Sequence, residues 1–265
     1  MFRDFIFQDQ VAVITGGGTG LGRAFSLRFA ELGARVVLAS RNPEHLAATR
    51  DEIRRAGGQA LAVTGDVRKP EEVEAVMRAA KDEFGGIDIL INNAAGNFLC
   101  RAEKLSYNGW RSVVDIVLNG TFYCCRAAFP YLRERNPGRT LNILATYAAG
   151  ASPGTVHSAA AKAGVLALTR TLAVEWAEYG IQVKAIAPGL FPTPGAAERL
   201  WPGDPAQQEA RMRELIPAGR AGRHDELANL AAYLCSPYAN YITGEAVVMD
   251  GGMSWNHPLF DWRSV

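Results

Sequence analysis

Residues 10–22, QVAVITGGGTGLG, decide how the chain is read. QVAVIT is a short continuous apolar run, the pattern of a strand covered on both faces in a parallel sheet. It passes directly into GGGTGLG at 16–22; a helix is expected over 23–32, then Gly33 and a second strand, ARVVLAS, at 34–40. Strand, glycines, helix and strand in that order form the setting in which a glycine-rich turn carries a dinucleotide. Gly16 permits the sharp turn, Gly20 lets the backbone approach a pyrophosphate, and Gly22 lets the helix pack close to the strand. The helix N-terminus then offers its unpaired N–H groups to the phosphates.

The second strand ends in Ala39-Ser40-Arg41. A site for NAD usually carries a carboxylate here, which accepts from the ribose 2′-hydroxyl. None is present. Arg41 offers a planar fork to a 2′-phosphate and Ser40 a second donor, so the expected cofactor is NADP(H).

The alternation continues with a helix at 43–56, a strand at 60–67, a helix at 70–84 and a strand at 87–93. Pro43 and Pro70 fall where a first helical turn tolerates proline. Asp66, at the end of its strand, suits either an adenine amino group or the cap of the next helix. A long helix is expected over 106–135, ended by Asn-Pro-Gly, then a strand at 141–146, a helix at 156–178 and a strand at 181–187. A Pro/Gly-rich segment, 188–222, is long for a connection and is expected to be a mobile substrate lid. A helix at 224–235 and a strand at 245–250 complete the pattern. The expectation is α/β: a Rossmann-type, doubly wound, seven-stranded, mainly parallel sheet with helices on both faces, in one domain spanning 1–265.

Composition excludes other classes. With 28 basic and 27 acidic side chains and no long run of one sign, the chain lacks the basic face a nucleic-acid binder needs. No apolar run is long enough to span a bilayer, and the first ten residues are too charged for a signal peptide, so a cytoplasmic protein is expected. The four cysteines make no metal-type pair and read as small reduced core residues; the four histidines have no metal-ligand spacing. No GxSxG elbow occurs, and His157 cannot serve its neighbour Ser158 as a base.

The chemistry is concentrated in LATYAAGASPGTVHSAAAKAG, residues 144–164. Together with TGGGTGLG, Asp66, INNAAG at 91–96, Asn119 and the APG turn at 187–189, it resembles the short-chain dehydrogenase/reductase family over essentially the whole chain. Members usually carry Tyr-x-x-x-Lys with a serine thirteen positions before the tyrosine. Here Ser158 stands four before Lys162 and Ala145 thirteen before that, so the usual ketone acid is missing. A serine hydroxyl is a far poorer proton donor than a lysine-assisted phenol.

NNAAGNF (92–98), DIVLNGT (115–121), ATYAAG and SAAAKAG resemble one branch closely, the mitochondrial-type 2,4-dienoyl-CoA reductases. The resemblance implies an NADPH-dependent reduction of a conjugated dienoyl thioester to 3-enoyl-CoA, auxiliary to fatty-acid β-oxidation, with hydride added at C5. Tyr147 and Asn97 would hold the thioester oxygen, Lys162 the nicotinamide ribose, with Ser158 beside the ring and Asn119 in the catalytic set. For the cofactor it implies Gly16, Gly18, Thr19, Gly20, Leu21, Ser40, Arg41, Asp66, Val67, Asn93, Lys162, Pro188, Gly189 and Phe191. For the acyl-CoA it implies Arg68, Phe98, Ser106 and Arg199. It also implies a homotetramer built on helices 106–135 and 156–178. The competing readings are a trans-2-enoyl-CoA reductase, which TVHSAAAKAG fits equally well, another short-chain oxidoreductase, and a non-enzymatic NADPH-binding sensor.

Overall fold

Seven strands hydrogen-bond in the order β3-β2-β1-β4-β5-β6-β7, and every neighbouring pair is parallel. In this computed structural model, residues 5–193, 195 and 204–256 are described. The strands are β1 (Val11–Thr15), β2 (Arg35–Ser40), β3 (Gln59–Thr64), β4 (Ile89–Asn92), β5 (Gly138–Ile143), β6 (Ile181–Pro188) and β7 (Ala246–Met249). The expected single-domain, doubly wound sheet is what forms, and it has no antiparallel member. β1, β4 and β5 are buried along their whole length, as strands are when helices cover both faces; β5 is so although it carries Arg139, Thr140 and Asn142.

The helices are α1 (Gly20–Glu31), α2 (Pro43–Arg55), α3 (Pro70–Phe84), α4 (Tyr107–Val114), α5 (Gly120–Leu132), α6 (Val156–Glu175), α7 (Pro205–Leu215) and α8 (His224–Leu234). One core layer packs α1, α2 and α8 on one face, with Phe25, Phe29, Leu46, Ile53 and Leu227 against β1 and β2. The other face carries α3, α5 and α6, with Val76, Met77, Leu132 and Leu172. Pro43 and Pro70 do sit in first helical turns, and Asn42 caps α2 by accepting from the Glu44 and His45 N–H groups.

Four expectations need correction. The helix over 106–135 is interrupted: a π-helical turn, Asp115–Asn119, separates α4 from α5. Such turns interrupt helices most often at functional sites. The segment at 188–222, expected as a loop, contains α7, capped by the Asp204 carboxylate accepting from the Gln207 N–H. Asp66 is not the cap of α3, because Lys69 holds that position. Cys124, Cys125 and Cys235 are buried free thiols as expected, but Cys100 is half-buried. Burial pushes the thiols of Cys125 and Cys235 up to about 12, which makes them inert packing groups.

Among the described residues no helix is long and apolar enough to cross a membrane, and no cluster of three or more His, Cys, Asp or Glu is placed to hold a metal ion.

Candidate functional site

The order of strands reverses between β1 and β4, and the loops at their carboxyl ends border the crevice where doubly wound sheets bind ligands. The glycine turn is shaped for a close approach. Gly16 and Gly20 have φ of +67° and +52°, a region side chains disfavour. A Cβ on Gly22 would lie 2.0 Å from the Gly16 carbonyl oxygen, and one on Gly18 would lie 2.9 Å from the His45 backbone. Thr19 is the N-cap of α1 but its side chain makes no capping bond, so the first-turn N–H groups remain available to phosphate oxygens. Leu21 packs its side chain on the core behind the turn. The residues present therefore fit a dinucleotide.

Asn93 fastens the turn to β4. Its side-chain amide donates to the Thr15 carbonyl at 2.9 Å, and its own N–H donates to the Thr15 hydroxyl at 3.0 Å. Ser40 closes β2 with its hydroxyl donating to the Asn42 carbonyl at 3.3 Å. Arg41 is exposed and makes no ion pair among the described residues. Its charge does reach Asp66, whose carboxyl lies below the usual carboxylate range, chiefly through hydrogen bonds from the Arg68 guanidinium and N–H, with Coulombic help from Arg68 and Arg41. Val67 abuts Gly120, where a Cβ would sit 2.8 Å from its methyl group, so α5 approaches this loop closely.

On the opposite side, the APG turn is pressed against β7. Gly189 donates to the Met249 carbonyl at 2.9 Å, and a Cβ there would meet the Asp250 Cβ at 2.5 Å. Pro188 ends β6, and the ring of Phe191 is buried under Gly222. Phe191 thus has only its backbone to offer a cofactor. The Thr193 methyl lies over Gly20, 3.1 Å from where its Cβ would be, so the chain after β6 bends over the glycine turn.

The reactive centre forms where β5 ends. The strand expected to run to 146 ends at Ile143, so Tyr147 stands not at a strand end but in a single 3-10 turn, Thr146–Ala149, beyond it. Its hydroxyl lies 3.0 Å from the Ser158 hydroxyl and accepts from the Asn97 amide at 3.4 Å. Burial raises its pKa, while the hydrogen bonds from Ser158 and Asn97 pull the other way, so at neutral pH it is a phenol and a donor. The Asn97 carbonyl oxygen is used at home, accepting from the Phe98 N–H at 2.9 Å, which leaves the amide end turned to Tyr147.

Lys162 lies one turn along α6 from Ser158. It is buried, donates to the Ile143 carbonyl, and is drawn down to about 8 by desolvation. Asn119, in the π turn, donates to the Asp115 carboxylate at 2.8 Å. The geometry brings Tyr147, Asn97 and Ser158 together and leaves Asn119 engaged elsewhere.

The residues suggested for acyl-CoA are more scattered. Arg68 is held against Asp66 by bidentate contacts of 2.9 Å from Nε and 2.5 Å from the guanidinium end. Ser106 caps α4, its hydroxyl accepting from the Gly109 N–H at 3.0 Å. Phe98 packs edge-on to the His157 ring, centroids 4.4 Å apart. Arg199 lies outside the described residues.

A family model described as enoyl-(acyl carrier protein) reductase matches residues 16–254. A Bacillus subtilis relative named a probable 2,4-dienoyl-CoA reductase, (2E)-enoyl-CoA-producing, is 48% identical over 95% of this chain and 98% of its own. An Arabidopsis thaliana relative, named a peroxisomal 2,4-dienoyl-CoA reductase, (3E)-enoyl-CoA-producing, is 40% identical over 97% of this chain and 88% of its own. The crystal structure of a short chain dehydrogenase from Bacillus anthracis superposes with a TM-score of 0.83 at 48% identity, covering 94% of this chain and 99% of that one. Glycine turn, parallel sheet, buried lysine and these likenesses agree: the chain belongs to the short-chain dehydrogenase/reductase family, whose members use a nicotinamide cofactor.

Proposed function

We propose that the protein is an NADPH-dependent 2,4-dienoyl-CoA reductase. The observation that carries the reading is the convergence of the Tyr147 hydroxyl with Asn97 and Ser158, at the position where a ketone-reducing relative would need its lysine-coupled tyrosine. Two close relatives are named for this activity, which supports the substrate class.

When bound, NADPH supplies the hydride, which goes to C5 of the dienoyl chain. Negative charge then runs through the conjugated carbons to the thioester oxygen. What the protein must supply is an oxyanion hole, and a phenolic O–H beside an amide N–H₂ suits it, since neutral donors aimed at developing charge cost no reorganisation. The hydrogen bond between Tyr147 and Ser158 helps fix where the phenol points. Lys162 would orient the nicotinamide ribose with Ser158 beside the ring, and Asn119, bonded to Asp115 in the π turn, would complete the catalytic set from outside the Tyr147–Asn97–Ser158 cluster. The glycine turn with Asn93, the Asp66-Val67 corner and the Pro188–Phe191 backbone hold the dinucleotide. Arg68, Phe98, Ser106 and Arg199 are assigned to the acyl-CoA, with 188–222 as its lid.

The relatives' names carry two different products. Protonation of the dienolate at C2 gives a 3-enoyl-CoA, and protonation at C4 a 2-enoyl-CoA. We assign C2, because a donor held at the thioester oxygen lies two bonds from C2 and four from C4. Incubation with 2,4-hexadienoyl-CoA and, separately, 2-hexenoyl-CoA tests the whole reading by NADPH absorbance. Oxidation of NADPH with the diene, and 3-hexenoyl-CoA as product, is expected. Turnover of the monoene alone would instead identify a trans-2-enoyl-CoA reductase, and tight NADPH binding without turnover of either a sensor.

Cofactor choice rests on Arg41 and Ser40. Arg41→Ala is expected to weaken NADPH binding by about tenfold to a hundredfold, from the 1.5–3 kcal/mol of a charged hydrogen bond. NADH binding should hardly change. Equal loss for both cofactors, read by fluorescence titration, would remove the argument for a 2′-phosphate contact. A homotetramer is assigned to the surfaces of α4, α5 and α6, where Tyr107, Trp110, Phe122 and Val174 are exposed. Sedimentation of the purified protein checks it.

A further inference from the structure

His157 is wholly buried, yet among the described residues neither of its ring nitrogens has a hydrogen-bond partner. The Thr155 carbonyl is near enough to favour a ring proton but does not meet hydrogen-bond geometry, and burial keeps the imidazole neutral. Leaving a buried polar group unsatisfied is destabilising. A histidine held this way is used for its shape.

That shape has a partner. The His157 ring stands edge-on to Phe98, at an interplanar angle of 75°. The Phe98 ring also meets α4 at Gly109, where a Cβ would lie 3.2 Å from the Phe98 Cζ. Phe98 is therefore packed against the first turns of both α6 and α4. Its own N–H donates to the Asn97 carbonyl oxygen at 2.9 Å, and the Asn97 amide reaches Tyr147. Tyr147 in turn touches Ser158, the residue next to His157. Two adjacent pairs, Asn97-Phe98 and His157-Ser158, thus close a ring with Tyr147 through two polar contacts and one aromatic.

We propose that His157 is a positioning residue: by wedging Phe98 against Gly109, it holds the Asn97 amide at the Tyr147 hydroxyl. The 3.4 Å contact between that amide and the phenol is too long to hold Asn97 by itself, so its orientation depends on the 2.9 Å bond from the Phe98 N–H to its Oδ1, and hence on where Phe98 is held. The role of the ring is independent of which thioester is reduced, although the kinetic arm of the test rests on the dienoyl-CoA reading.

Four variants test it: His157→Ala, His157→Phe, His157→Gln and Gly109→Ala. His157→Phe keeps the aromatic edge and removes the unsatisfied nitrogens, so it should retain kcat to within about threefold, with an equal or higher Tm. His157→Ala and His157→Gln should lower kcat by about tenfold to a hundredfold, the cost of displacing a reacting contact by up to 1 Å. NADPH affinity should be unchanged in both. Gly109→Ala pushes on Phe98 from α4, in a helix that alanine favours, and leaves Tyr147, Asn97 and Ser158 unaltered, so it decides the matter if His157→Ala does not fold; because the new Cβ would also lie 3.3 Å from the Ser106 hydroxyl, kcat is read apart from the KM for the acyl-CoA. It should lower kcat in the same way. Crystal structures of the variants should show the Asn97 amide withdrawn from Tyr147 in the impaired ones and in place in His157→Phe. An active His157→Gln beside an inactive His157→Phe would overturn the proposal by showing that a ring nitrogen matters. So would a fall in Tm with kcat and the Asn97–Tyr147 contact intact. If the wild-type protein reduces no conjugated thioester, the functional reading fails, and the crystallographic comparison still judges the wedge.

Discussion

Tyr147→Phe is expected to lower kcat for 2,4-hexadienoyl-CoA by about 10²–10³, the usual loss when one oxyanion donor is removed. The substitution deletes one oxygen and leaves the ring. The hydroxyl's partners are the Ser158 hydroxyl at 3.0 Å and the Asn97 amide at 3.4 Å, both polar groups that line the same site and can turn to water. The fold should therefore be unaffected. NADPH affinity should stay nearly unchanged as well, because the glycine turn, Arg41 and Lys162 lie on other elements and do not depend on the phenol. The effect belongs in kcat, since the hydrogen bond strengthens only as charge reaches the thioester oxygen. Stopped-flow reduction at saturating NADPH, with a separate titration of the cofactor, measures the two quantities. An unchanged kcat would remove Tyr147 from the reaction and leave the sensor reading standing.

Gly22→Ala is expected to be the most damaging change in the cofactor floor. A Cβ at this position would stand 2.0 Å from the Gly16 carbonyl oxygen and 2.6 Å from the Asn93 amide. Neither neighbour can yield freely. The Gly16 carbonyl is part of a turn already at positive φ, and the Asn93 amide is bonded to the Thr15 carbonyl. Overpacking of a rigid interior costs about 1–3 kcal/mol and sometimes more, and here the obstruction is backbone, so the upper end applies. Urea titration should register that loss. NADPH binding should fall by at least about tenfold even where the protein still folds, because the turn that must cradle the pyrophosphate has been forced open. Unchanged stability and affinity would mean that α1 can shift along β1 without cost. By contrast, Gly57 and Gly85 also have positive φ but open space around them, so alanine there should strain the turn locally and leave the cofactor site untouched.

The parallel sheet was legible because both of its signals are local. QVAVIT and its counterparts are continuous apolar runs, and the glycines, prolines and Asn42 mark the places where chain direction changes. The interrupted helix was not legible. Residues 106–135 carry a helical pattern from end to end, and a π turn adds one residue per turn without altering composition, so only the packing of α4 and α5 shows it. The helix at 205–215 was hidden for another reason: it is mostly polar, with few large apolar residues (Met212 and Leu215), and is flanked by proline and glycine, so its apolar periodicity is faint.

The candidate site divides along the same line. Sequence spacing alone placed Ser158 and Lys162 on one helix, one turn apart, and showed that a serine stands where a tyrosine is usual. It also determined the sheet, the glycine turn and the absence of a carboxylate at the end of β2, because each depends on residues close together in the chain. Tertiary structure alone decided which groups meet. Asn97 and Tyr147 are fifty residues apart and come together only because β4 and β5 are neighbours in the sheet and both chains leave it at the same edge. Arg68 turns inward to Asp66, a use that its position in the chain does not reveal, whereas the cap that Ser106 forms was one of the readings open to it. His157 showed nothing in the sequence beyond a poorly placed base; its contact with Phe98 exists because α6 and the loop after β4 pack against each other. Backbone direction is set by neighbours in sequence, whereas a side chain's partners are set by whichever surfaces the folded core presses together.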